Sequence, residues 1–111
     1  MEQLYKRRVS VSFGSFFDLF KAGRSRPFWV DYPFCKLIIY RDRFALSIPF
    51  SQEHTIFYSD IDYIKRHLHY GISIYQKNSD VVYVSSSGIG PSLYKDIISI
   101  VAEHNLNIKV I

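Results

Sequence analysis

"SLYKDIISIVAEH", residues 92–104, is where this chain changes rhythm. At 100° per residue, Leu93, Tyr94, Ile97, Ile98, Ile100 and Val101 fall within an arc of roughly 160°, and Lys95, Asp96, Ser99 and Glu103 take the rest of the circle. The spacing predicts a one-sided helix lying on other structure. Pro91 or Ser92 starts it, Gly88 and Gly90 of "SSSGIGPS" give a flexible turn before it, and Asn105 ends it. A glycine-spaced turn that opens a helix is also where many proteins hold phosphate, by aiming consecutive backbone N–H groups at the anion. Here the third glycine of a dinucleotide fingerprint and the Gly-Lys-Ser/Thr of a P-loop are missing, and Pro91 has no N–H to give. The turn is read as a hinge between strand and helix.

Upstream of that hinge the period is two. In "YKRRVSVSF", Tyr5, Val9, Val11 and Phe13 alternate with Lys6, Arg8, Ser10 and Ser12, with Arg7 as the exception near a strand end. Phe28 to Val30 form a brief strand before a "DYP" turn, and "CKLIIY" pairs with "FALSIPF" across Arg41-Asp42-Arg43. Phe44, Leu46, Ile48 and Phe50 share one face, and Pro49 marks that strand's end or an exposed edge. "HTIFY" leads through Ser59-Asp60 to "YIKRHL", with Ile61 and Ile64 pointing inward. "YGISIYQ" and "VVYVSS" then form a hairpin around Asn78, Ser79 and Asp80. "LNIKVI" closes the chain as a short strand or extended tail. The expected fold is mainly β: six or seven short antiparallel strands in a bent sheet or partly open barrel, capped by the C-terminal amphipathic helix.

The pieces "KLIIYRDRFALSI", "IFYSDIDYI", "GISIY", "VVYVSS" and "SLYKDIISIVAEH" together resemble the pleckstrin-homology-like superfamily in its bacterial and GRAM-like versions, over about residues 28–104. The resemblance implies a strongly bent sheet plugged by the last helix. In lipid-binding members a basic pattern lies between the first two strands, before an aromatic strand. Arg24-Ser25-Arg26-Pro27-Phe28-Trp29-Val30 looks like its second half, with Lys21 or Lys6 as the leading lysine. The spacer to either lysine, the intervening Pro27 and the lack of a tryptophan in the last helix depart from that pattern.

At 111 residues the chain is read as one domain, with a basic strand and Phe-rich segment at 1–27, a meander plus helix at 28–104 and a short tail at 105–111. Hydrophobic residues make up 48%, which excludes a disordered chain. One cysteine, Cys35, permits no internal disulfide and suits a reducing cytoplasm, as a small buried apolar residue. No apolar run is long enough to cross a bilayer as a helix. The net charge of +4 is concentrated in residues 1–26, with six cations against two carboxylates.

Lys21, Arg24 and Arg26 beside Phe16, Phe17 and Phe20 are the candidate binding residues, because cations next to exposed aromatics suit an anionic membrane surface. The plainer account packs the phenylalanines on the domain's own sheet. His67 and His69 share a strand face, yet a metal site needs another ligand and none is placed by the sequence. No nucleophile elbow or triad context surrounds the serines and histidines, so no catalytic residue, metal or cofactor is expected. Nucleic acid is the disfavoured partner, since the charge excess is modest and no RNA-binding aromatic motif is present. The expected function is non-catalytic binding, to a protein or to further copies of the chain, with peripheral membrane binding as the alternative.

Overall fold

Alternation in residues 5–13 becomes β1 (Tyr5–Phe13), which sits at the centre of the sheet. The computed structural model describes residues 2–13, 29–49, 53–67, 71–78, 80–86 and 92–111 and, for 13 and 29–33, the backbone alone. After β1 come β2 (Trp29–Ile39), β3 (Arg43–Ser47), β4 (His54–Phe57), β5 (Ile61–His67), β6 (Gly71–Gln76), β7 (Val81–Ser85) and the helix α1 (Leu93–His104). The seven strands form one open antiparallel sheet in the order β4-β3-β2-β1-β7-β6-β5.

That order carries a geometric consequence. Laid flat, seven strands span about 29 Å between the outermost two. Those two, β4 and β5, are consecutive in the chain and joined only by the 3-10 turn Tyr58–Asp60. The connection reaches at most about 14 Å, so the sheet must curl until its edges nearly meet. The turn is tied to both sides, with the Tyr58 N–H donating to Asp42 O at 3.0 Å and the Lys77 N–H to Asp60 O at 2.9 Å. Tyr58 is its plug: the ring meets Phe44 edge-on at 5.2 Å, and the hydroxyl donates to the Tyr40 carbonyl. Burial holds that phenol protonated far above the usual tyrosine range.

The inward positions make one core. Val9, Val11, Leu37, Phe44, Leu46, Ile56, Ile64, Ile72, Ile74 and Val84 are buried together, joined by Leu93, Ile97 and Ile100 of α1. Cys35 belongs to this layer as expected, and burial pushes its thiol up to about 11. Asn105 ends α1 in the left-handed region at φ 52°, a conformation asparagine tolerates better than most residues, and its N–H satisfies the Val101 carbonyl.

Two local readings need correction. "DYP" is not a turn between strands: β2 runs unbroken from Trp29 to Ile39, and its pairing to β1 jumps from Val9↔Cys35 to Val11↔Val30. One residue of β1 faces four of β2 there, because Pro33 cannot donate to the ladder and the chain bulges instead of turning. Arg7, the exception in the alternation, does not sit idly at a strand end. It occupies an inward position and reaches α1, where its guanidinium binds the Asp96 carboxylate at 2.9 Å. The tail is the extended segment foreseen: the Ile64 N–H donates to Lys109 O at 2.8 Å and the Ile111 N–H to Ile64 O at 2.9 Å, a parallel bridge along the β5 edge.

Candidate functional site

Phe16, Phe17, Phe20, Lys21, Arg24 and Arg26 lie outside the described residues, as do Gly88, Gly90 and Pro91 of the hinge. Ser92 is the residue before α1, with no side-chain hydrogen bond capping the helix. His69 is likewise outside the description, while His67 rests against the Tyr83 ring at 4.8 Å rather than beside another metal ligand. Among the described residues no three His, Cys, Asp or Glu side chains converge. No described helix is long and apolar enough to cross a membrane.

Where α1 meets the rest of the chain, its apolar arc is wider than the face it buries. Leu93, Ile97 and Ile100 enter the core, while Ile98, at the far end of the arc, stays 42% exposed. The mismatch leaves a groove. Tyr94, Ile98, Val101 and Ala102 of α1 form one wall, Ile108 and Val110 of the tail form the other, and the space between is about 310 Å³. The tail is held in place by its backbone bridge to Ile64, by the buried Leu106 and by the Tyr94 hydroxyl, which donates to Ile111 O at 3.0 Å. Ile111 stands beside it, 53% exposed. A small-molecule site combines an enclosed apolar space with a few convergent polar groups. This groove is open, and the one polar side chain among its lining residues, Tyr94, already has its hydroxyl engaged, so it suits an apolar side chain offered by another protein surface.

At the opposite border of α1 lies a polar clasp. The Tyr5 hydroxyl donates to Asp96 Oδ2 at 2.6 Å and Arg7 binds the same oxygen. Burial first, and the neighbouring carboxylate second, push the Tyr5 phenol up to about 12. Arg7 accompanies the carboxylate, so its charge is compensated within the clasp. The clasp fixes the helix on β1. It explains why an arginine and a tyrosine occupy inward positions of a strand on which the aliphatic Val9 and Val11 follow.

Neither the groove nor the clasp is readable as a motif. Ile98, Ile108 and Val110 look in the sequence like ordinary members of apolar patterns, and Arg7 announces itself only as a break in the alternation. No protein-family model matches the chain, and no curated protein or solved structure is detectably similar to it.

Proposed function

We propose that this chain is a non-catalytic binding module of pleckstrin-homology-like architecture, in which α1 closes the open end of the curled sheet. The strand order, with the chain passing from one edge to the other through a three-residue turn and then ending in a helix, supports that architecture. The module works in a reducing cytoplasm by self-association, a second copy seating its α1 and tail on the first. The observation that carries this reading is the groove with Ile98 and Ile111 exposed around it. One patch thus holds both a cleft and the apolar knobs that fill a cleft, the self-complementarity a two-fold contact requires.

Light scattering after size exclusion tests it. The expected mass at high concentration is twice the 13.1 kDa of one chain, and Ile98→Asp, on an exposed position, is expected to weaken association at least ~30-fold by placing a charge at the centre of the contact. A wild-type chain that stays monomeric, or a dimer indifferent to I98D, overturns the reading.

A further inference from the structure

The outward face of the sheet, opposite the core, has an unusual composition. On β1 the outward residues are Lys6, Arg8, Ser10 and Ser12, and register places Arg8 across from Lys36 on β2. Two residues before Lys36, at the edge of the β2 bulge, stands Phe34, 64% exposed. Continuing across β7, β6 and β5, Ser12 is level with Tyr83, Ser73 and Lys65, and Ser10 with Ser85, Gly71 and His67. No paired outward position of the described strands carries Asp or Glu. Of the carboxylates on these elements, Asp31 falls in the β2 bulge, Asp62 in the β5 bulge and Asp80 in the β6–β7 hairpin.

The centre of this face is a floor of small residues framed by rings. A Cβ at Gly71 would come within 2.6 Å of the Val84 carbonyl oxygen, so no side chain fits there. Across that gap the His67 and Tyr83 rings, from strands that are not neighbours, meet at 4.8 Å. Ser73 beside it is only 2% exposed, and the Ser10 and Ser85 hydroxyls approach to 3.3 Å. Along the next row Tyr63 and Tyr75 stack at 4.5 Å. Lys6, Arg8 and Lys65 are exposed, and among the described residues neither they nor Lys36 has an ion-pair partner.

We infer that this face binds single-stranded nucleic acid, with Phe34 and the Tyr83–His67 pair as stacking surfaces and Lys6, Arg8, Lys36 and Lys65 as phosphate contacts. A single strand asks for unpaired cations to track its backbone and flat π-faces for its bases, with little demand on sequence. Both are here on the outward side of the sheet, where no paired position of the described strands carries a carboxylate to repel the phosphates. The cations come from three strands that are far apart in the chain, so their sum is invisible to a count along the sequence. A membrane surface would draw on the same charge and on the exposed Phe34, so vesicle flotation is scored beside oligomer binding.

Fluorescence anisotropy with a labelled thymidine oligomer of about fifteen nucleotides is the test, using the full chain. Four phosphate contacts predict a slope of log K against log salt of about −3. Arg8→Ala with Lys36→Ala should roughly halve that slope, and Phe34→Ala should weaken binding about tenfold without changing it. Lys95→Ala, which removes the same charge from α1, should leave binding unchanged. A duplex of equal length should bind more weakly, because its bases cannot stack on the protein. No binding at about 100 µM protein in low salt, equal loss in K95A and R8A/K36A, indifference to F34A, or flotation with phosphatidylserine vesicles without oligomer binding would each overturn the inference. The result is independent of self-association, which I98D reads separately on α1.

Discussion

The inner and outer faces of the sheet are made by the same strands, residue by alternate residue, yet they obey different rules. The inner face is largely an aliphatic and aromatic layer, crossed by a polar clasp where Tyr5 and Arg7 meet Asp96. On the outer face the side chains are short at the centre and long, cationic or aromatic around it. Removing atoms from the first leaves a cavity that the fold cannot fill, whereas removing them from the second changes only what the surface can touch. The contrast teaches where stability and recognition are separable in this chain.

The sharpest break of that contrast is Phe44→Ala. Phe44 is fully buried against Tyr58 at the point where the curled edges meet, and its truncation should cost about 3–5 kcal/mol, read as a lowered denaturant midpoint. Gly71→Ala comes next, although it lies on the outer side. The added methyl meets backbone at 2.6 Å, β6 and β7 must separate, and a loss of about 1–3 kcal/mol is expected. A neutral result would mean that the two strands are less tightly apposed than described.

Asp96→Ala removes the acceptor of both Tyr5 and Arg7. With the pair partly open to solvent, a loss of about 1–2 kcal/mol is expected at neutral pH. The clasp also has a pH signature. The Tyr5 phenol is raised from 10.0 to about 12 in the folded chain, so its contribution is intact below pH 10 and is lost as the pH climbs through 12, where the folded form must also deprotonate. Absorbance titration at alkaline pH should show two late tyrosines, Tyr5 and the still later Tyr58, of which the first is missing in Tyr5→Phe and only partly lowered in D96A, since burial is the larger cause. Phe34→Ala should be the smallest change of all, within about 0.5 kcal/mol of wild type, because so exposed a ring supports nothing beneath it.

Much of the inner face was legible from alternation alone. Val9, Val11, Phe44, Leu46, Ile72 and Ile74 announce their strands by a two-residue period, and α1 announces itself by the change to 3.6. Pro33 misled because proline is a turn former in most contexts, and only the partner strand decides whether the chain turns or bulges. Arg7 was legible as an exception but not as a clasp, since its partner is 89 positions away. The outer face was hardest to see. Its four cations belong to three segments, and counting charge along the chain assigned the surplus to residues 1–26. Register redistributes it: Arg8 of β1 is level with Lys36, and Lys65 is level with Ser12 of β1, three strands away. The groove escaped for a related reason, because an apolar arc says which residues avoid water but not how much of the arc its support will cover.

The most direct test of this division is a nitrogen–proton correlation spectrum of the full chain titrated with a thymidine oligomer. Shifts concentrated on the amides of Phe34, Lys36, Arg8, Tyr83 and His67, with Ile97, Ile98 and Ile100 of α1 unmoved, are the predicted result. Shifts concentrated on α1 and the tail, or a spectrum that does not respond, would contradict it.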